Sequence, residues 1–146
     1  VTAMNFPKDT FDSMIVFYPV IKAFPDNSSS WNDYGVGFGL DSELMEAFNE
    51  SYTSDIFNPM VSPAFAVDDD LKFLPATIVI AADRDILKDQ GYEFAQRIKR
   101  IGVEVEYQVI PGSVHLFITV PGQPSAFNYS VTHTSEFIST HKSDSH

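Results

Sequence analysis

Two short and nearly continuous apolar runs constrain the fold of this chain more than any other feature. One is MIVFYPV at 14–20, and the other is ATIVIAA at 76–82. Strands with one solvent-exposed face alternate between polar and apolar residues. Uninterrupted apolar runs are instead typical of strands that are covered on both faces in a parallel sheet. We therefore expect both runs to be buried strands of such a sheet.

The segments around these runs supply the remaining elements of an α/β pattern. Apolar residues at helical spacing predict three helices, at 40–52, 91–102 and 125–140. The run VEVEYQVI at 103–110 predicts a third strand, and its partial alternation favours a position nearer the sheet edge. The polar stretch 24–39 is expected to be a loop. Strands that alternate with helices predict an α/β fold with parallel strands and right-handed helical crossovers.

Charge and composition exclude several classes of function. The 146 residues carry a formal net charge of -11 and contain no cysteine. A basic stripe for nucleic-acid phosphates is therefore not available, and neither a disulfide framework nor a thiolate metal site can form. No apolar stretch reaches the roughly 18 residues that suggest a membrane span. We expect no nucleic-acid partner and no membrane span.

Titratable side chains follow the second and third predicted strands. Asp83 and Asp85 come directly after 76–82, and His115 comes after 103–110. Sites in open α/β sheets gather at the carboxyl ends of the strands, so one crossover would bring an acid beside the imidazole. That pair is the acid and base of a nucleophilic triad. The alternative is structural: a partly buried histidine with a satisfied hydrogen bond, and an aspartate that caps the next helix.

A family resemblance is carried by the segment 81–117, AADRDILKDQGYEFAQRIKRIGVEVEYQVIPGSVHLF. It resembles the C-terminal part of the hormone-sensitive-lipase-like esterases, which are α/β-hydrolases. In that family a pattern close to A-E-x-D-P-L-x-D-E-G follows one strand, and a G-x-x-H-G-F turn follows the next. Upstream counterparts include FYPV, YGVGFGL and NPMVSPAFA. The resemblance implies that 1–146 is the C-terminal portion of a single α/β-hydrolase domain, the C-terminal half of that fold.

The resemblance also assigns the candidate catalytic residues. It implies that Asp85, rather than Asp83, is the triad acid and that His115 is the general base. Asp89 is expected to act as the N-cap of the helix that follows.

Two departures from the family pattern lie beside these residues. Ile86 stands where the family usually has proline, and Leu116 stands where it usually has glycine. We expect Ile86, Leu116 and Phe117 to contact the substrate. The larger side chain of Leu116 is expected to narrow the acyl or alcohol pocket, or to tilt the imidazole ring.

The nucleophile of such an enzyme is missing from this sequence. There is no G-x-S-x-G elbow and no H-G-G-G-type oxyanion motif in the 146 residues. Since the chain order of these triads is Ser, acid, His, both motifs are expected upstream of Val1. They would belong to the N-terminal portion of the same polypeptide or to a companion chain. We expect Met14–Val20 to pair with a strand of that partner, and this chain alone to be inactive.

The function implied by the resemblance is part of a serine carboxylic-ester hydrolase that acts on small apolar acyl esters. Such an enzyme needs no metal or cofactor. Two alternatives remain open at this point. One is a non-catalytic protein that binds a small molecule on the same fold. The other is an amidase or lactonase that shares the triad.

Overall fold

A computed structural model describes residues 1–142. Its sheet has three parallel strands in the order β1–β2–β3, with bounds Ser13–Phe17, Ala76–Arg84 and Val105–Val114. The helices of the described part are α1 Ser29–Asp33, α2 Ser42–Tyr52, α3 Asp68–Leu71, α4 Lys88–Arg100 and α5 Pro124–His141. Short 3-10 turns lie at Thr2–Asn5 and Pro63–Phe65. The predicted α/β class is confirmed. Within residues 1–142, no helix combines the length and apolarity needed to cross a bilayer.

Strand β2 is the centre of the molecule. Ile78 and Ile80 are fully buried on one face, in a core cluster to which α5 contributes Phe137. Val79 is fully buried on the opposite face, where α4 approaches it at Gly91. Each of these β2 side chains contributes about 1.5–3 kcal/mol by leaving water. The run is apolar at successive positions because both faces are covered.

Strand β1 is shorter and more exposed than the sequence predicts. It ends at Phe17 rather than Val20, because Tyr18 turns the chain with a φ of +34° and Pro19 has no N–H for the ladder. All residues of β1 are half-buried within residues 1–142, where the sequence predicts a fully buried strand. Among the described residues β1 pairs only with β2. Pairing of its other edge with a further strand stays a prediction.

The stretch 24–39 is not entirely a loop, since it contains the short helix α1. The Ser28 hydroxyl caps this helix by accepting a hydrogen bond from the Trp31 N–H at 3.3 Å. Trp31 is buried in a core cluster with Leu40 and Ile86. A single large aromatic side chain therefore anchors a segment that is otherwise polar and glycine-containing.

The expected role of Asp89 is also wrong. Helix α4 begins at Lys88, three residues earlier than predicted, so Asp89 lies inside its first turn. Its Oδ2 accepts a hydrogen bond from the Ser30 N–H at 2.8 Å, and its own N–H donates to the Ser30 hydroxyl at 3.1 Å. Asp89 thus joins α4 to the start of α1 instead of capping its own helix.

Gln90 fixes the path of the chain after β1. Its side chain is fully buried, and its Oε1 accepts hydrogen bonds from the N–H groups of Ile21 at 2.7 Å and Lys22 at 2.8 Å. One residue along, Pro19 lies 3.8 Å from where a Cβ on Gly91 would be. These contacts hold residues 19–22 against the start of α4.

Replacing Gln90 with leucine should therefore destabilise the fold. The Gln90→Leu change leaves two inward-facing N–H groups without their acceptor, which costs about 2–4 kcal/mol of unfolding free energy. Urea denaturation measures the loss. Gln96→Leu, a half-buried glutamine on the same helix, is the control and should change stability by less than about 0.5 kcal/mol. Equal stability of the two variants would contradict the role given to Gln90.

The C-terminal end of α5 is fastened through His141. Its Nε2 lies 3.0 Å from Glu104 Oε1, and its Nδ1 lies 2.8 Å from the Phe137 carbonyl oxygen. Both ring nitrogens thus face acceptors, and only the imidazolium can donate to both. The hydrogen bond with Glu104, followed by that with Phe137, raises the pKa of His141 above its usual value.

This shift makes stability depend on pH with a defined sign. Because the folded-state pKa is the higher one, the His141 contribution is complete below about pH 6.5 and is lost as pH rises through the folded-state pKa. The stability difference between wild type and His141→Gln should therefore shrink between pH 5.5 and pH 8.5. Urea denaturation at the two pH values measures it, and Glu104→Gln should remove most of the same pH dependence.

Candidate active site

The candidate site lies where β2 and β3 end. Strand β3 continues to Val114, four residues past its predicted end, through a register shift between Ala82 and Arg84. His115 therefore follows β3 directly, and Asp85 follows β2 directly. Their side chains meet, with Asp85 Oδ2 2.7 Å from His115 Nδ1. This is the contact that the order of the strands predicts.

The environment of Asp85 fixes its carboxylate. The side chain is 1% exposed, against 12% for that of His115. Its second oxygen, Oδ1, accepts a hydrogen bond from the Leu87 N–H at 2.9 Å. With one oxygen held by the backbone, the other is directed at the imidazole. A carboxylate can only accept a hydrogen bond, so Nδ1 is the nitrogen of His115 that donates in this contact, and Nε2 lies on the other side of the ring.

Asp83, two residues before Asp85, has different hydrogen-bond partners. Its Oδ2 accepts a hydrogen bond from the Gly112 N–H at 3.1 Å, and its own N–H donates to the Ser113 hydroxyl at 3.2 Å. Lys88 Nζ donates to the Asp83 carbonyl at 2.9 Å. Asp83 thus ties the exits of β2 and β3 together, and it is Asp85 that contacts the imidazole.

Ser113 is the serine nearest to His115 in sequence, and its hydroxyl is already engaged. The residue is 2% exposed. Its Oγ donates to the Ile110 carbonyl at 2.8 Å while it accepts from the Asp83 N–H. A hydroxyl buried and bonded in this way serves the loop structure and is not presented to a substrate.

Tyr18 joins the site although no sequence motif pointed to it. Its ring centroid lies 4.6 Å from that of His115, with 55° between the planes. Burial raises the pKa of the Tyr18 hydroxyl; a hydrogen bond with Thr119 opposes this shift, and the charge of Asp85 adds to it. In the sequence, Tyr18 belongs to the predicted strand and to FYPV, a counterpart of the family pattern, and neither indicates that β1 ends beside His115.

An open cavity of about 770 Å³ begins at the histidine. His115 and Leu116 form part of its wall. Most of the remaining wall is apolar and comes from α2 and its neighbours, including Leu40, Leu44, Met45, Phe48, Met60 and Val61. Such a cleft suits an apolar small molecule next to the imidazole.

The three predicted substrate contacts are placed differently from one another. Leu116 lies on the cavity wall. Ile86 is fully buried beside Trp31, and Phe117 is 1% exposed in the core under α5. Neither of these two lines the cavity, because their side chains fill the protein interior. Among residues 1–142, no cluster of three or more His, Asp or Glu side chains is placed to hold a metal ion.

Comparison with known proteins places the chain in a family. A family model described as the α/β-hydrolase fold matches residues 1–119. The chain belongs to the α/β-hydrolase family. It is 33% identical over 110 residues to Lipase 2 of Moraxella sp. (strain TA144), covering 74% of this chain and 25% of that protein. It is 36% identical over 98 residues to an arylesterase of Saccharolobus solfataricus, covering 64% and 31%.

Solved α/β-hydrolase structures show the same fold. A thermostable esterase from Pseudomonas putida ECU1011 superposes with a TM-score of 0.83 at 24% identity, over 89% of this chain and 42% of the esterase. Brefeldin A esterase, a bacterial homologue of human hormone-sensitive lipase, gives 0.75 at 25% identity, over 88% and 39%. The predicted resemblance to hormone-sensitive-lipase-like esterases is confirmed. The chain spans less than half the length of each of these relatives.

Leu116 is the departure from the hydrolase family pattern with a clear structural consequence. Its φ is +63°, the left-handed region in which a Cβ approaches the following carbonyl. The family glycine would adopt this conformation freely. The turn that follows Leu116 is closed by two hydrogen bonds of 2.9 Å, from the N–H groups of Thr119 and Val120 to the Leu116 carbonyl. The local turn therefore holds a leucine in a strained conformation beside His115.

This strain predicts an unusual order of stability among variants. Leu116→Gly should be more stable than Leu116→Ala by about 1 kcal/mol, because both remove the side chain and only glycine relieves the backbone. Leu44, an exposed leucine inside α2, is the control. There alanine should be more stable than glycine by about 1 kcal/mol. Urea denaturation of the four variants gives both differences, and the same order at both positions would contradict the strain at Leu116.

Proposed function

We propose that this chain supplies the acid and the base of a serine carboxylic-ester hydrolase. Asp85 is the triad acid, and His115 is the general base. The observation that carries the proposal is the 2.7 Å contact between the buried carboxylate and the imidazole, on the wall of a largely apolar cavity. Names of relatives point to the same reaction class, since they include a lipase and an arylesterase.

The reaction proceeds by two acyl transfers. A serine hydroxyl attacks the acyl carbon of the ester while His115 Nε2 takes its proton, and the same nitrogen then protonates the departing alcohol. Water repeats the sequence on the acyl-enzyme and releases the acid. Asp85 keeps the ring in the correct tautomer and stabilises the imidazolium that forms in each half-reaction. The proposed reaction requires neither a metal nor an organic cofactor.

The nucleophile and the oxyanion hole come from a segment outside these 146 residues. The sequence contains no G-x-S-x-G elbow. The chain covers only 25% of the length of the Moraxella lipase and 31% of that of the Saccharolobus arylesterase. We assign the missing groups to an N-terminal portion of the same α/β-hydrolase domain, on the same polypeptide or a companion chain. The half-buried strand β1 offers that portion an edge to pair with.

The substrates are small esters with apolar acyl groups. The apolar wall around His115 favours hydrocarbon over charged groups. A net charge of -11 also disfavours anionic substrates, which the surface field would repel. Leu116, on the same wall, is the residue of this chain that we expect to limit the size of the substrate.

Loss of the base should nearly abolish turnover in the complete enzyme, meaning this chain together with the segment that carries the nucleophile. His115→Ala should lower kcat on a short-chain nitrophenyl ester by about 10⁴-fold or more, because triad members act as a unit. Asp85→Asn should cost about 10⁴-fold by imposing the wrong tautomer. His133→Ala, a histidine on α5 outside the site, should leave the rate within about twofold.

The same experiment separates this proposal from a non-catalytic binding protein, which would turn over no ester at all. The chain alone should not react with a fluorophosphonate probe. Labelling of the isolated 146 residues would place the nucleophile within them and overturn the assignment.

A further inference from the structure

We propose that Tyr18 is a positioning residue that holds the imidazole of His115 in its working orientation. The inference rests on the proposed function, because it concerns the base of that reaction. Its starting point is the ring contact, with centroids 4.6 Å apart and planes at 55°. Neither the family pattern nor the spacing of the acid and base assigns this residue a role.

A single hydrogen bond leaves an imidazole with freedom that catalysis does not tolerate. The Asp85 contact fixes the ring only at Nδ1, at one edge. The ring can still rock about that point, and Nε2, on the far side, moves most when it does. A second contact, from Tyr18 on another element, opposes this motion. Catalytic groups need placement to within about 0.5 Å and 10–20°, so the added contact bears directly on the rate.

The Tyr18 ring is supported by a second aromatic ring, that of Phe117. It packs edge to face on Phe117, with centroids 5.4 Å apart and planes at 81°. Phe117 is 1% exposed and belongs to the core between the sheet and α5. The rigid interior therefore supports Tyr18, and Tyr18 in turn supports the imidazole.

The backbone at Tyr18 shows that this placement is imposed by the surrounding fold. Its φ of +34° is disfavoured for an aromatic residue, and the left-handed region is rare before a proline such as Pro19. On one side the Tyr18 N–H is bonded to the Ile80 carbonyl at 2.7 Å. On the other, Gln90 anchors the N–H groups of Ile21 and Lys22. Strain maintained between two anchors is a feature of functional sites.

The test uses the complete enzyme and separates kcat from KM. Tyr18→Leu should lower kcat about 10–100-fold, because a displaced base reacts less often, and leave KM within about threefold. Tyr18→Phe, which keeps the ring, should restore most of the rate. Tyr18→Met fills the space without a flat ring and should behave like Tyr18→Leu; it guards against a folding defect in the leucine variant.

Tyr129 provides the matched control. It also contacts a histidine ring, that of His133 at 4.1 Å, but on an exposed part of α5. Tyr129→Leu removes an equivalent tyrosine–histidine contact and should leave kcat within about twofold. An equal loss of kcat at both positions would mean that the effect is one of general stability, which would overturn the positioning role.

An NMR measurement tests the contact independently of turnover. The carbon-bound ring protons of His115 should show a ring-current shift in wild type and in Tyr18→Phe, and lose it in Tyr18→Leu. If wild type hydrolyses esters and Tyr18→Leu keeps its full kcat, the inference fails while the proposed function stands. If wild type hydrolyses no ester, the proposed function fails, whether or not the ring-current shift places Tyr18 against His115.

Discussion

Burial of β2 on both faces is the constraint on which the rest of the structure depends. A strand with Ile78 and Ile80 on one side and Val79 on the other cannot be stable unless a helix covers each face. Helices α4 and α5 do so, and the connections that bring them there fix the order of the strands. The carboxyl ends of β2 and β3 must then lie side by side. The meeting of Asp85 and His115 is a consequence of how the chain buries its most apolar segment.

The two aspartates after β2 show how backbone geometry divides chemical roles. Asp83 and Asp85 are the same residue type, two positions apart. One accepts the Gly112 N–H and closes the strand exits, whereas the other accepts the Leu87 N–H and turns its free oxygen to the imidazole. Asp83 holds the ends of β2 and β3 together, and this keeps Asp85 and His115 at a fixed separation. The proposed role of Asp85 as triad acid requires such a partner, because the carboxylate must stay fixed while the charge on the imidazole changes.

Much of the fold could be predicted from the sequence, because burial leaves a pattern in it. The apolar run of β2, the helical spacing in α4 and the glycine after that helix each led to the right element, and Gly102 does adopt a φ of +97°. The acid and the histidine could be found from their positions after strands. The choice of Asp85 over Asp83 needed the family resemblance, since spacing alone does not distinguish them.

The errors arose where contacts between distant segments override local pattern. The path of the chain after β1 depends on Gln90, about seventy positions away, which accepts hydrogen bonds from the N–H groups of Ile21 and Lys22. Asp89 looked like a helix cap, yet its partner is Ser30 on another helix. Ile86 and Phe117 flank Asp85 and His115 in sequence, and their side chains lie in the core, so their contact with a substrate stays a prediction. The contact between Tyr18 and His115 could not be predicted from the sequence, because it depends on where β1 ends.

The residues that flank His115 share one physical property. Tyr18 and Leu116 approach His115 from different segments, and both are bulky residues with positive φ. At each position a glycine would adopt the backbone conformation at lower cost but would contribute no side chain. The fold thus sustains two strained positions: the Tyr18 ring contacts the imidazole, and the Leu116 side chain lies on the cavity wall beside it. The surrounding hydrogen bonds offset this backbone strain, so weakening those made by Gln90 should displace the His115 ring before it unfolds the sheet.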